Sequence, residues 1–389
     1  NILDTKLGQV LLSIDELEAV TGLVAPYQSD LGKQAAAALE AMLPRADFRP
    51  KLVELLKPIY ENADDWNKLV GISRFRFDIA GSPGEKVQVL RETAILLEER
   101  GSNQNGAFEL VAEAFTLDPD DGDTRAELDR LAIATSRWDD LARTYESGIA
   151  QIDGVGKKEL LEALARLHDK RRDDPRKALD AWERLFALDE SDPHPLDEMD
   201  ALATLLSDWS SLVRVLAKRA ELTSDDEERA SLWRRIGEAR RDMLDDQQGA
   251  IDAYERALEL EPTSAWTLDN LIPLYEDRND AARLVDLYRR RIELCGEFDE
   301  DLKHRLLLDA AKCYELGLQD RREAVILLGQ ALAMKPGDAE ITARLIDLYE
   351  AEKMWPELLD ALRAEAERAT EPAQSWKLTK RIGRLLAAE

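Results

Sequence analysis

Large apolar residues recur along this chain with a long period of about 72 residues. The clearest series, called the tryptophan column below, consists of Trp66, Trp138, Trp209, Ala281 and Trp355. Each member is followed three residues later by leucine. The spacings within the series are 72, 71, 72 and 74 residues. Self-similarity at a fixed period indicates a repeat architecture rather than a set of unrelated globular domains.

A second series, called the small column below, contains only small residues and recurs with the same spacing. Its members are Gly22, Ala94, Ala165, Gly237, Ala311 and Gly383, with spacings of 72, 71, 72, 74 and 72 residues. Both columns contain the same two-residue insertion, at the step of 74. Small side chains at one fixed place in each repeat allow two helices to approach closely.

A third column predicts helices and their ends. It reads alanine, a large apolar residue four positions later, a small residue three further on, and proline after five more. Three copies fit fully: Ala107-Val111-Ala114-Pro119, Ala250-Tyr254-Ala257-Pro262 and Ala324-Leu328-Ala331-Pro336. Offsets of 4 and 7 lie on one helix face, and the proline then ends the helix. No segment alternates between apolar and polar residues as a strand would, so no sheet is predicted.

Two helix starts are predicted from short polar motifs. Ser136 with Asp139, and Ser224 with Glu227, match the capping box that satisfies free N–H groups at a helix start. We therefore expect Ser136 and Ser224 to be N-cap residues.

The segment from Trp233 to Pro262 resembles a tetratricopeptide (TPR) repeat. That family places Trp, Leu-Gly, Ala, Tyr, Ala-Leu and Pro at nearly the offsets of Trp233, Ile236-Gly237, Ala250, Tyr254, Ala257-Leu258 and Pro262. This copy has one extra residue between its two helices. Residues 226–262 form the best copy, and residues 300–336 form a close one. More divergent hairpins alternate with these, so the resemblance covers essentially the whole chain.

The resemblance implies an all-α fold, a right-handed α-solenoid of about ten TPR-like helical hairpins with no β-sheet. A hairpin of about 36 residues cannot bury its own apolar face, so neighbours must stack. We expect residues 1–389 to form a single solenoid. Its two-hairpin units would span approximately residues 9–79, 84–152, 156–222, 226–295 and 300–369, with a partial unit at 373–389. Residues 373–389 are expected to be a polar cap, unless the chain is a fragment of a longer protein.

The charge balance bears on partners and location. The chain has 53 basic and 80 acidic residues, for a net charge of −27, which disfavours nucleic acid as a partner. No apolar run approaches the ~18 residues of a membrane span, so no direct membrane insertion is expected. Cys295 and Cys313 are predicted to be free, which favours a reducing compartment. We expect a cytoplasmic protein, or a periplasmic or envelope-associated one if a signal peptide was removed.

No residue pattern predicts catalysis, a metal site or a cofactor. The glycine-containing segments 81–84 and 101–106 lack the Lys-Ser/Thr of a nucleotide-binding loop. His168, His194 and His304 have no His or Cys partner at ligand spacing. We therefore expect no enzyme activity and no cofactor.

The resemblance implies a binding groove lined by the first helix of each hairpin. Groove positions lie three before, one after and four after the small column. The candidate partner-binding residues are Glu54, Glu61, Asp197, Arg234, Glu238, Arg241, Asp269, Glu276, Asp347 and Glu350. These residues fit ordinary solvated helix faces, or an acidic groove for a protein or peptide with basic segments. Residues 189–280 contain 24 acidic and 10 basic residues, a net −14, so we expect a basic partner there first.

The function expected from these features is a non-catalytic scaffold or adaptor for protein–protein interaction, either alone or as part of a larger complex. Two alternatives remain open. The chain is the TPR region of a larger signalling enzyme or sensor, or it is a structural subunit of an envelope or secretion assembly. Arginine outnumbers lysine by 36 to 17, as in proteins of GC-rich bacteria.

Overall fold

The structure, a computed structural model, describes residues 27–369 and 371–388. Contacts divide the chain into two compact units, residues 1–206 (unit 1) and residues 207–389 (unit 2). All regular elements in the described residues are helices, and none of these residues lies in a strand. The predicted all-α class is therefore confirmed.

Unit 1 contains ten α-helices in its described part. They are α1 (Asp30–Glu40), α2 (Arg49–Asn62), α3 (Trp66–Ile79), α4 (Pro83–Glu99), α5 (Gln104–Leu117), α6 (Gly122–Thr135), α7 (Trp138–Ile149), α8 (Gly154–Lys170), α9 (Pro175–Leu188) and α10 (His194–Leu205). Each packs mainly on the helices directly before and after it within the unit.

Unit 2 contains ten further α-helices in its described part, and two of them continue into a short π-helix. The elements are α11 (Trp209–Leu222), α12 (Asp226–Glu238) with the π-segment Ala239–Met243, α13 (Gln247–Leu260), α14 (Ala265–Asp277), α15 (Ala281–Glu293), α16 (Glu300–Lys312) with the π-segment Cys313–Gly317, α17 (Arg321–Met334), α18 (Ala339–Ala351), α19 (Trp355–Arg368) and α20 (Pro372–Ala388). Here too, packing joins helices that are neighbours in the chain.

This nearest-neighbour packing is the arrangement of a solenoid of stacked hairpins. Four complete hairpins occur in each unit, α2–α3 to α8–α9 and α12–α13 to α18–α19. The even-numbered first helices are named A helices below, and the odd-numbered second helices are named B helices. The single solenoid over the whole chain, its unit boundaries and its right-handed course stay predictions.

The turn from each A helix to the next B helix repeats one backbone conformation. Nine non-glycine residues there have positive φ: Asp64, Ser102, Ser136, Asp173, Ser207, Asp245, Asn279, Gln319 and Lys353. The residue after the turn closes the A helix, since the Asp65 N–H donates to the Tyr60 carbonyl at 3.0 Å. This is the wrapped backbone hydrogen bond of a Schellman motif. Five of these turns are followed two residues later by a member of the tryptophan column, at the first position of a B helix.

The conserved spacing of the columns corresponds to buried positions. The leucine three residues after each column member, such as Leu141 or Leu358, is buried in every B helix of the series. Ala107, Val111 and Ala114 have no exposed surface. Helices α5, α13 and α17 end two residues before their prolines, because the residue preceding proline is disfavoured in helical conformation. The predicted helix ends are thus confirmed.

Both predicted capping boxes are wrong. Helix α12 is capped by Asp225, whose carboxylate accepts from the Glu227 N–H at 3.0 Å. Ser136 has φ 56° and lies in the turn before Arg137, the residue that precedes α7. At α12, aspartate satisfies a free N–H as well as serine does. At α7, Ser136 is the turn residue with positive φ, so the N-cap falls at the next residue, Arg137.

The small-residue column lies where a B helix crosses an A helix. A methyl carbon added at Gly237 would lie 2.4 Å from Cε1 of Tyr254, whose ring is fully buried. Ala94, Ala165 and Ala311 are buried at the same column. Gly22 lies outside the described residues. At Gly383, by contrast, nothing lies within 4 Å of an added methyl carbon.

Gly237→Ala is expected to lower the free energy of unfolding by about 1–3 kcal/mol, because the new methyl group overpacks against Tyr254. Chemical denaturation followed by far-UV circular dichroism measures the change. Gly383→Ala is the matched control from the same column, and it is expected to raise helix stability by about 0.5–1 kcal/mol. Equal effects of the two substitutions would contradict the proposed close contact.

Gln319→Gly is expected to raise the free energy of unfolding by about 1 kcal/mol. Gln319 is exposed and has φ 57°, a conformation that an L-residue adopts at a cost of roughly 1–2 kcal/mol and that glycine adopts freely. Gln319→Val is the opposing variant and should destabilise, because a β-branched side chain tolerates positive φ poorly. Thermal unfolding measures the midpoint temperatures, which are expected to increase in the order Gln319→Val, wild type, Gln319→Gly.

Candidate partner-binding surface

The candidate residues of unit 1 lie exposed on A helices. Glu54 and Glu61 are on α2, and Asp197 is on α10. The Glu54 carboxylate lies 3.5 Å from Nζ of Lys51, and the Glu61 carboxylate lies 3.5 Å from Nζ of Lys57. Such exposed pairs within one helix contribute little to stability, so both acids remain available to a partner.

The two candidate arginines of unit 2 are held by neighbouring repeats. Arg234 forms an ion pair with Glu261 at the end of α13 and lies 3.4 Å from Oγ of Ser264. Arg241 donates to Oδ1 of Asn270 at 2.6 Å and pairs with Asp242 at 2.7 Å. These arginines therefore connect α12 and its π-segment to the following hairpin, and their charges are largely neutralised.

Three candidate acids of unit 2 have internal partners as well. Asp269 accepts two hydrogen bonds from the Arg291 guanidinium, at 2.7 and 3.2 Å. Arg291 is only 8% exposed, so this carboxylate balances an otherwise buried positive charge, and removing one member of such a pair is costly. Glu276 accepts from the Tyr288 hydroxyl, and Glu350 pairs with Arg381 of α20. Asp269 in particular has a structural role that the groove assignment did not predict.

The remaining candidate acids of unit 2 are unpaired. Glu238 on α12 and Asp347 on α18 are exposed, and neither forms a hydrogen bond or ion pair with the described residues. Both therefore carry exposed negative charge on A helices, and no ion pair with the described residues holds either carboxylate.

One further acidic residue, Asp309 on α16, is not among the predicted partner-binding residues. Its carboxylate is half-buried and has no hydrogen bond or ion pair among the described residues. Burial, and then the nearby charge of Glu276, raise the pKa of Asp309 above its usual range. Asp309 lies two residues before Ala311, off the predicted groove positions, and no spacing signal distinguishes it from other surface acids.

The histidines occupy three different environments. His168 is buried on α8, where Nδ1 lies 3.0 Å from Nη1 of Arg172. His194 is exposed at the start of α10, edge-on to the ring of Trp182. His304 is buried on α16, and its Nε2 has no hydrogen-bond partner. Across the described part of the chain, no three His, Cys, Asp or Glu residues are grouped to hold a metal ion.

None of the described helices combines the length and apolar content that a bilayer span requires. Cys295 and Cys313 are free thiols, and burial raises the pKa of both. Thiols with raised pKa values are poor nucleophiles at neutral pH.

Comparison with known proteins gives partial likenesses to solved structures. MamA is 21% identical, with a TM-score of 0.28, over 47% of this chain and 94% of MamA. YrrB, described as a TPR protein with an unusual peptide-binding site, is 14% identical over 55% of this chain and 99% of YrrB, with a TM-score of 0.28. The TPR2AB domain of yeast Sti1, in a complex with pHSP90, is 18% identical over 60% of this chain and 98% of that domain, with a TM-score of 0.24.

Neither a protein-family model nor a curated protein sequence matches the chain. Superpositions with TM-scores of 0.28 and below do not establish a shared course of the whole chain. The chain itself is built from repeated helical hairpins, because the described members of its tryptophan and small columns lie at corresponding places in B and A helices.

The buried His168 is expected to make stability depend on pH. Burial, and then the charge of Arg172, lower its pKa below 6.5 in the folded state, so the unfolded chain binds the proton more readily. The contribution of the neutral ring is therefore complete above about pH 6.5 and decreases as the pH falls below that value. Urea unfolding at about pH 7.5 and 5.5 should show a smaller loss for His168→Gln than for the wild type. An equal loss in both proteins would contradict this assignment.

Proposed function

We propose that the protein is a non-catalytic scaffold that binds a basic segment of a protein partner through acidic positions on its A helices. The observation that carries the proposal is the unequal pairing of charges in unit 2. Arg234, Arg241 and Arg344 on the A helices form ion pairs with acids of the chain itself, whereas Glu238 and Asp347 form no ion pair with the described residues.

Arginines on the A helices show this inequality most clearly. Arg234 and Arg241 are paired as described above, and Arg344 on α18 forms an ion pair with Glu315 at 2.7 Å. Glu238 and Asp347, on the same set of helices, have no such pair. The unpaired charge of these positions is therefore negative, in agreement with the net charge of −27, and it attracts a cationic partner.

The proposed mechanism is electrostatic attraction and shape recognition, without bond-making. Exposed charges at the edge of an interface mainly set the association rate and its dependence on salt. The cytoplasmic location stays a prediction, as do the two alternatives, the repeat region of a larger signalling enzyme or sensor and a structural subunit of an envelope or secretion assembly.

A fluorescein-labelled peptide of about twelve residues, with lysines spaced by serine and glycine, is expected to bind with an affinity that falls as NaCl rises from about 50 to 500 mM. The double variant Glu238→Gln/Asp347→Asn should weaken binding about five- to tenfold, since each exposed charge pair contributes up to about 1 kcal/mol. Fluorescence anisotropy measures both effects.

The matched control is Glu259→Gln/Glu367→Gln, which removes two exposed charges from the B helices α13 and α19. It should leave the affinity within about twofold of wild type. Absence of peptide binding to the wild type would overturn the proposed function. An equal loss in both double variants would show that net charge, and not the A-helix positions, attracts the peptide.

A further inference from the structure

Ala281 is the one member of the tryptophan column that is not tryptophan. In unit 1, the Trp66 ring packs against the end of the next A helix, since a methyl carbon at Gly101 would lie 3.1 Å from its Cη2 and Cζ3. In unit 2, the corresponding neighbour of Ala281 is Gly317, at the end of the second π-segment, where an added methyl carbon would lie 2.3 Å from Cβ of Ala281. Gly317 therefore approaches Ala281 closely, and no indole ring lies at this place in unit 2.

A cavity of about 490 Å³ opens at this place. Its apolar wall is formed by Ala281, Leu284 and Leu316, and its polar side by Glu276, Tyr288 and Asp309. Leu284 is buried, whereas Leu316 is 66% exposed and leaves an apolar edge in contact with solvent. The cavity lies beside the α14–α15 turn, away from Glu238 and Asp347 in the chain.

The polar side of the cavity carries two carboxylates, Glu276 and Asp309, and neither forms an ion pair with the described residues. Asp309 has no hydrogen bond or ion pair among the described residues, and Glu276 accepts only the uncharged Tyr288 hydroxyl. Lys312 also lines the cavity, and the positive charges of Lys312 and Arg305 favour a lower pKa of Asp309. Burial and the Glu276 charge outweigh both bases, and neither base forms an ion pair with Asp309. A half-buried carboxylate beside a second one is costly without a cation.

We propose that this cavity receives an arginine side chain of the basic partner segment, with its methylene stem along Ala281, Leu284 and Leu316 and its guanidinium between Glu276 and Asp309. Long cationic side chains bury their stems on apolar surface. The planar guanidinium, unlike an ammonium, presents several donors that can satisfy two carboxylates together. The proposal rests on the proposed function, because it specifies one residue of the basic segment.

The test is a double-mutant cycle between the cavity and the peptide. The probe is the lysine peptide described above with a central Leu-Arg-Leu, and its matched partner carries citrulline, which is neutral and similar in shape, at the arginine. On the wild type, citrulline is expected to weaken binding about tenfold. On Ala281→Trp, which places a bulky ring at the apolar wall of the cavity, the two peptides should bind equally.

Asp309→Asn is the second variant, since it removes the charge and keeps the shape of the cavity. It should reduce the preference for arginine over citrulline about fivefold or more. Glu297→Gln, which removes an exposed acid of unit 2 that does not line the cavity, should retain the full preference. Thermal unfolding of each variant confirms that it is folded.

Two results would overturn the cavity assignment while leaving the proposed function intact. One is a citrulline effect that persists unchanged in Ala281→Trp, and the other is equal binding of arginine and lysine at the central position. If the lysine peptide itself fails to bind, the proposed function falls first. The two failures are therefore distinguishable.

Discussion

The structure depends on one constraint: a helical hairpin of about 36 residues has an apolar face that it cannot cover by itself. Covering it requires the next hairpin, so each helix packs on its neighbours in the chain. The small column serves packing within each hairpin, because Gly237 on α12 must admit the ring of Tyr254 on α13. The repeated turns follow from the constraint, since each B helix must begin at the same angle to be covered by the next A helix. Repetition in the sequence is therefore repetition of an interface.

Features decided within one helix were largely predictable from the sequence, and contacts between helices were not. The helix ends before Pro119, Pro262 and Pro336 were predicted because proline acts on its own backbone. The N-cap of α12 was misassigned by one residue, since serine and aspartate cap equally well. The partner of Asp269 is Arg291, 22 residues away on another helix, and no local pattern reports it. Asp309 was missed for the same reason: the lack of a partner is a property of the assembled fold.

The distribution of charge connects the fold to the proposed function. A high content of charged residues is expected wherever helices line solvent, and by itself it indicates no binding site. The informative property is which charges the fold uses internally. Stacking places Arg234 and Arg291 against acids of adjacent helices, and Arg241 against the amide oxygen of Asn270. Glu238, Asp309 and Asp347 receive no such neighbour. The excess of acidic side chains without an ion pair therefore depends on how the helices pack as well as on composition.

The nearest-neighbour packing also has a consequence for how the chain acquires its structure. Contacts between residues close in sequence require little loop closure, and chains rich in them fold rapidly. Each hairpin finds the surface it needs on the hairpin synthesised just before it, so structure can grow from the amino-terminal side during translation. The short turns that join an A helix to a B helix, each with one residue of positive φ, keep the two helices of a hairpin close in sequence. The repeated turn therefore lets each newly made B helix meet the A helix that was made directly before it.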